Sequence, residues 1–223
     1  YYKPEPVDWS KTFINKDKSP FGTYILYNQL NVVFPGKRIS SVREPIYNQL
    51  NENYFNPEFE ENSEAPETIT NEMLNYVFIN SSFRADSLDI NHLLRFVEKG
   101  NHVFIAANSI QAQLLDTLNI QLGRNFKFSS KDSVVLRFAN RNLKDIAKIP
   151  ERVVENYFTA EDSTADFQQL ASIDSAKVVF TRVTFGKGLF YLCSVPELFS
   201  NFYLLKKKSE NLAFNALSYL PVS

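Results

Sequence analysis

Tyr76-Val77-Phe78-Ile79 and His102-Val103-Phe104-Ile105-Ala106-Ala107 are two largely apolar runs that decide the fold class. Runs of this kind are typical of strands that are buried on both faces. A helical pattern lies between them, because Asp86 or Ser87 can cap its start and Gly100 stands where a left-handed C-terminal cap belongs. Its apolar stripe consists of Ile90, Leu93, Leu94 and Val97. The pattern predicts a strand-helix-strand unit, which nearly always forms a right-handed crossover between parallel strands.

The segments on either side extend this alternation. Ser19-Pro20 is a typical helix start and Pro35-Gly36 a typical stop, and a further helix is predicted over residues 109–118. The second half is richer in β patterns, with Gly186-Lys187-Gly188 as a hairpin turn and a closing helix from Ser209. We therefore expect an α/β fold: an open, mostly parallel, doubly wound sheet with helices on both faces and an antiparallel edge or small β insertion.

The composition indicates a globular protein with one sizeable core. Hydrophobic residues make up 44% of the 223 residues, and they include 20 Phe and 11 Tyr. The chain has 24 Lys and Arg against 25 Asp and Glu, so its net charge is −1 and no global field attracts nucleic acid. A nucleic-acid partner is therefore not expected.

The beginning of the chain suggests where the protein is located. Position 1 is Tyr rather than Met, and Pro4 and Pro6 stiffen an extended segment. We interpret residues 1–16 as a linker that follows a membrane anchor outside this chain, and residues 17–223 as a single α/β domain. No run approaches the roughly 18 apolar residues of a membrane span.

Polar residues follow both apolar runs, where ligands bind in open α/β sheets. Asn80 and Ser81 come after the first run, and Asn108 and Ser109 after the second, so these four residues are the predicted ligand-binding edge. Ser109 could be a nucleophile on a sharp turn between strand and helix. The glycines that such a turn needs are replaced by Ala107 and Ile110, which favours the alternative that Ser109 caps the following helix.

A second candidate lies at the predicted helix start near Ser19. Gly22 stands within the first turn and Lys18 is beside it. The free N–H groups of a helix N-terminus and a neighbouring cation can bind an anion, so Gly22 and Lys18 are added to the predicted ligand-binding residues. The alternative is that Gly22 allows tight packing against a strand.

The remaining reactive residue types favour structural roles. Cys193 lies within an apolar strand, and His92 and His102 do not follow the carboxyl end of a strand. Residues 51–75 are predicted to form an exposed loop, so the acidic cluster at residues 58–67 is expected to be solvated. The turn at residues 186–188 joins two strands and is therefore not a phosphate-binding loop. No metal and no cofactor is predicted.

Three segments resemble a bacterial family, the DUF4350 domain. They are Asp17-Lys18-Ser19-Pro20-Phe21-Gly22-Thr23-Tyr24 with the following residues to Gly36, the stretch from Asn75 to Ala107, and the stretch from Gly186 to Asn211. Together they cover most of the chain, and the first is the most specific. The resemblance implies a flavodoxin-like or class I glutamine amidotransferase-like sheet, in a domain held on the periplasmic face of the inner membrane by a transmembrane helix, typically in Bacteroidetes.

The resemblance also bears on catalysis. An amidotransferase would need Cys near Asn108-Ser109 and His directly before Pro196-Glu197, where this chain has Val195. Neither position has the residue type that amidotransferase catalysis needs. The sequence therefore favours a non-catalytic extracytoplasmic binding or assembly domain, whose partner is a membrane or periplasmic protein or a small polar ligand. The alternative is a hydrolase or transferase that uses Ser109 or Ser81.

Overall fold

A computed structural model describes residues 6–55, 73–125, 132–140, 142–143, 146–161, 166–174, 177–207 and 209–221. Residues 1–5, most of the predicted loop at residues 51–75 and the acidic cluster at residues 58–67 lie outside these ranges. Within the described ranges, no helix has the length and apolar character needed to span a membrane.

The described chain contains six short or medium α-helices and eleven strands. The helices are α1 (Tyr24–Val33), α2 (Ile46–Leu50), α3 (Ser87–Glu98), α4 (Ala112–Thr117), α5 (Asn201–Leu205) and α6 (Leu212–Leu217). The strands are β1 (Asn75–Ile79), β2 (Ser82–Phe83), β3 (His102–Ala106), β4 (Ser109–Ile110), β5 (Ile120–Arg124), β6 (Ser133–Phe138), β7 (Ile146–Pro150), β8 (Asn156–Ala160), β9 (Phe167–Ile173), β10 (Lys177–Phe185) and β11 (Gly188–Cys193).

Nine strands form one mixed sheet in the order β1-β3-β11-β10-β9-β6-β7, with β8 pairing with both β10 and β5. Strand β3 runs parallel to β1 and to β11. The other pairings in this sheet are antiparallel, and β2 and β4 form a separate small parallel pair. The predicted open, mostly parallel, doubly wound sheet of flavodoxin-like or glutamine amidotransferase-like type is therefore wrong, because antiparallel pairing dominates.

The reason for this error lies in the second half of the chain. A parallel neighbour needs a long crossover, whereas antiparallel strands can follow one another through short connections. Among the described residues no α-helix occurs between β5 and β11. The side chains of β6 alternate between buried and partly exposed, as in an antiparallel sheet that is covered on one face. The predicted antiparallel edge is thus the larger part of the sheet.

The strand-helix-strand unit is present as predicted. Strands β1 and β3 are parallel neighbours, and α3 lies between them in the chain. The Asp86 side chain accepts a hydrogen bond from the Asp89 N–H at 2.8 Å, which caps α3. Gly100 has φ of +110°, the conformation expected after a helix C-terminus. The hairpin turn at residues 186–188 also joins β10 to β11 as predicted.

The first predicted helix starts later than expected. Helix α1 begins at Tyr24, and Ser19 does not cap it. Instead the Ser19 N–H and Oγ–H both donate to the Asp17 carboxylate at 2.8 Å, so this side chain stabilises a turn in place of a helix. Gly22 therefore lies before the helix, in close contact with the backbone of Asp17.

The helix predicted over residues 109–118 is also shorter than expected. Ser109 lies in β4, paired with Ser82, and α4 begins only at Ala112 with Gln111 at the N-cap position. Ser109 is therefore not a helix cap. The short pairing with β2 holds residues 109–110 in extended conformation, a long-range contact that local sequence does not reveal.

Two hydrophobic clusters lie on opposite faces of the sheet. One includes residues of α1, α5 and α6, together with Phe104, Phe180 and Phe199. The other includes residues of α2, α3 and α4, together with Phe158 and Phe190. Strand β3 is buried at every position because it contributes to both clusters. Because β3 lies between β1 and β11, the residues that follow β3 lie in the middle of one edge of the sheet.

Candidate ligand-binding site

The carboxyl ends of β1, β3 and β11 meet at one edge of the sheet. Ile79 pairs with Ala106, and Ala106 pairs with Cys193, so the three strands end level with one another. The chain continues with residues 80–81 after β1, residues 107–109 after β3 and Ser194 after β11. The parallel part of the sheet therefore has the polar edge that the sequence predicted.

Three of the four predicted edge residues come together. The N–H groups of Asn108 and Ser109 both donate to the Ser81 carbonyl, at 3.1 and 3.3 Å. Ser81, Asn108 and Ser109 line one cleft, whereas Asn80 is exposed and its side chain accepts a hydrogen bond from the Ser81 N–H at 2.8 Å. Asn80 shapes the turn and does not line the cleft.

The second predicted group lies elsewhere. Lys18 is exposed, and its Nζ lies 4.9 Å from the centre of the Tyr24 ring. A Cβ on Gly22 would lie 2.1 Å from the Asp17 carbonyl oxygen, so glycine is needed for close backbone approach. Neither Gly22 nor Lys18 lines the cleft.

The cleft has a volume of about 730 Å³ and a polar lining. Its residues are Lys11, Ser81, Ser82, Asn108, Ser109, Arg124, Asn125, Glu155 and Asn156. Four of them, at positions 124, 125, 155 and 156, come from or adjoin β5 and β8, which pair so that Arg124 faces Asn156. Strands β5 and β8, whose position in the sheet the sequence did not predict, therefore form one wall of the cleft.

Glu197 is the least expected residue of this region. It has no exposed surface, and its Oε1 accepts a hydrogen bond from Lys11 Nζ at 2.7 Å. The Asn108 Nδ2 donates to the other carboxylate oxygen at 3.4 Å. Lys11 also lies 3.7 Å from Glu155. The buried carboxylate is thus paired with Lys11, which lines the cleft.

The electrostatics of Lys11 reflect this arrangement. Burial opposes its charged form, but the hydrogen bond and Coulomb attraction of Glu197, with a contribution from Glu155, raise the pKa of Lys11. Lys11 is therefore a fixed cation at neutral pH. It cannot serve as a general base there.

Hydrogen bonds hold the amide side chains in place. Asn156 Nδ2 donates to the Asn108 carbonyl at 2.5 Å, and Ser194 Oγ donates to the Asn156 carbonyl at 2.8 Å. Asn125 accepts a hydrogen bond from Lys177 Nζ at 2.6 Å and donates to the Val154 carbonyl at 2.9 Å. The cleft is therefore preorganised by contacts between its own walls.

The described side chains of Ser109, His102 and Cys193 lie apart from one another. Within the described ranges, Ser109 Oγ has no hydrogen bond to a histidine or carboxylate. His102 lies at the other end of β3, roughly 13 Å from Ala106 by strand length, and burial lowers its pKa. Burial raises the pKa of the Cys193 thiol to about 12, so this thiol is not nucleophilic at neutral pH. The described residues contain no group of three His, Cys, Asp or Glu that could bind a metal ion.

Sequence reasoning missed Lys11, Glu197 and the wall formed by β5 and β8. The Pro196-Glu197 pair was available as a signal, because it matches the end of the amidotransferase pattern even though Val195 replaces the histidine. Lys11 gave no signal, since it lies in the segment interpreted as a linker and its partner is 186 residues away.

The family profile described as Domain of unknown function (DUF4350) matches residues 15–217. The chain belongs to the DUF4350 family. No curated protein matches the DUF4350 chain.

Solved structures resemble the DUF4350 chain at low identity. One named mmIFT52 N-terminal domain has a TM-score of 0.58 and 13% identity, over 88% of this chain and 89% of that chain. This match shows a shared fold. An exo-β-1,4-mannosidase from Opitutaceae bacterium strain TAV5 has a TM-score of 0.44 and 10% identity, over 65% of this chain and 24% of that chain. A cytoplasmic protein from Salmonella typhimurium has a TM-score of 0.44 and 9% identity, over 80% and 76%. The last two are too distant to support an argument.

Proposed function

We propose that this chain is a non-catalytic binding domain whose polar cleft binds a small polar ligand. The observation that carries the proposal is the buried Glu197 carboxylate, which is bound by Lys11 and Asn108 at the base of the cleft. The carboxylate accepts hydrogen bonds from Lys11 and Asn108, and both of these residues line the cleft, so Glu197 holds their side chains in place.

The chemistry of the lining indicates the ligand class. Serine hydroxyls and asparagine amides dominate the lining, and one arginine and one glutamate stand at its wall. Such groups suit a ligand with several hydroxyl or amide groups, for example a sugar or an amino-acid derivative. We further propose that this is a bacterial protein anchored in the inner membrane, with this domain in the periplasm. The family resemblance supports these points, and reading the codons upstream of Tyr1 tests the anchor.

The binding proposal is tested by thermal unfolding in the presence of monosaccharides, disaccharides and amino acids. A ligand at about 100 times its Kd should stabilise the protein by about 2.7 kcal/mol. Ser109→Phe should abolish this shift, because Ser109 is exposed in the cleft and a ring there would obstruct the ligand and remove a hydroxyl group. Gln121→Phe is the matched control, since Gln121 is exposed on β5 and does not line the cleft. An equal shift in both variants would contradict the proposed site.

The rival proposal, a hydrolase that uses Ser109 or Ser81, predicts a different result. We expect Ser109→Ala to change the free energy of unfolding by no more than about 0.5 kcal/mol, because Ser109 is exposed and caps no helix. No hydrolytic turnover should be lost. Loss of an ester or amide hydrolase activity in this variant, with unchanged melting, would establish the nucleophile instead.

A further inference from the structure

A second cavity of the described chain lies away from the polar cleft, along the outer edge of β1. Its volume is about 870 Å³. Strand β1 is the end strand of the sheet order, so among the described residues one side of its backbone has no neighbouring strand. We call this cavity the β1 groove; its walls are β1, α1, α2 and residues 37–44.

The backbone of β1 has unpaired groups that face the groove. Asn80 N–H donates to the Ala106 carbonyl and His102 N–H donates to the Leu74 carbonyl, so the even-numbered residues of this strand face β3. The odd-numbered residues therefore point their N–H and C=O groups outward. Within the described ranges, Val77 and Ile79 have no backbone partner on that side. Such an edge is a template for another strand.

The two faces of the groove are apolar. One face carries side chains of the first hydrophobic cluster, namely Leu26 and Leu30 of α1 and Phe34, which follows α1. The other face carries side chains of the second cluster, namely Leu50, Tyr54 and Phe96. A strand added in the plane of the sheet would bury side chains on both faces, so its central residues should all be apolar.

The rim of the groove carries an excess of positive charge. The charged residues that line it are Lys37, Arg38, Arg43 and Glu44, three cations and one anion. None of them forms a salt bridge within the described chain. Acidic residues at the ends of an inserted strand would complement this rim.

We propose that the β1 groove binds an extended segment of a partner protein, with an apolar centre and acidic ends, as an added strand on β1. Residues 37–44 carry three cations and one anion, which favours a partner segment with acidic residues. A second copy of this chain would bring the same excess of positive charge to the groove, so it is a poor occupant. An acyl chain would leave the backbone of Val77 and Ile79 unpaired.

The test uses a fluorescein-labelled peptide, Glu-Glu-Val-Ile-Val-Ile-Val-Glu-Glu, and fluorescence anisotropy with the whole chain. We expect saturable binding that Val77→Pro weakens at least tenfold, because proline removes the outward N–H. Proline is tolerated on an edge strand in this orientation. Val77→Ala keeps the N–H and should change the affinity less than threefold. Lys-Lys-Val-Ile-Val-Ile-Val-Lys-Lys should bind at least tenfold more weakly.

Further measurements test whether the Val77→Pro variant is folded and which occupant the groove binds. Circular dichroism and melting must show that the Val77→Pro variant is folded. If the variant is unfolded, the test instead uses the parent chain and an acidic peptide that is N-methylated at alternate residues. This peptide lacks the N–H groups that would pair with β1, so it should not bind. Failure of the acidic peptide to bind the parent chain would overturn the proposal. Concentration-dependent dimerisation that Val77→Pro abolishes would show that a second copy of this chain occupies the groove. Oleate binding that Val77→Pro leaves unchanged, together with no binding of the acidic peptide, would show that an acyl chain occupies it. Either result would overturn the proposal.

Discussion

Gly188→Ala is expected to lower the free energy of unfolding by about 3 kcal/mol, the upper part of the usual range for overpacking. A Cβ at this position would lie 2.0 Å from the Asn101 carbonyl oxygen and 2.4 Å from the Val97 carbonyl oxygen. Both atoms belong to backbone that anchors the end of α3 to the sheet, so neither can move without loss of packing. In a chain of this size the melting temperature should fall by about 6–12 °C.

Gly36→Ala is the matched control. Gly36 has φ of +76°, but no atom lies within 4 Å of a Cβ built there. Its substitution should cost only about 1–2 kcal/mol, the conformational penalty of the left-handed region. Equal melting temperatures for the Gly188→Ala variant and the parent chain would show that α3 and β11 are farther apart than described.

Lys11→Met should be the other large change, with a loss of about 2–3 kcal/mol at pH 7. Removing one partner of a buried ion pair costs about 3–5 kcal/mol, because the remaining charge is uncompensated. Glu197 has no exposed surface, but the Lys11 side chain is 38% exposed, so water can partly replace it and the lower value is appropriate. Chemical denaturation at constant m-value measures the difference.

Two variants separate the ion pair from a general effect of the substitution. Lys16→Met changes an exposed lysine of the same segment and should stay within about 0.5 kcal/mol of the parent chain. Lys11→Met combined with Glu197→Met should recover most of the loss, because no buried charge is then left without a partner. A double variant less stable than Lys11→Met alone would rule out this explanation.

The sequence predicted the elements whose signals are local. Strands β1 and β3 are short apolar runs, and α3 has a cap, an apolar stripe and a stop that are all close together in the sequence, so all three were found. Strand direction in the second half depends on partners far along the chain. The alternating pattern of β6 shows that it is a strand, but not that it pairs with β7 and β9.

The candidate site was predictable only in part. Ser81, Asn108 and Ser109 follow strands that could be recognised, and the structure places them in one cleft. Lys11 and Glu197 meet through the fold, and neither burial nor a partner at long sequence distance is visible in a local pattern.

The other predicted site depended on a helix boundary. Gly22 and Lys18 were placed at a helix start that Asp17 replaces with a turn. Their ligand-binding role stays a prediction without structural support.

Strand β11 is the last strand in the chain, yet it lies between β3 and β10 in the sheet. Among the described strands, it alone connects the parallel part to the antiparallel part. During synthesis the two parts of the sheet therefore cannot join until residue 193 has left the ribosome, and each part has an open edge until then. Such late, long-range closure slows folding and exposes edges that can aggregate. The order of strands along the chain thus makes the nascent protein most prone to aggregation in the interval before β11 has emerged.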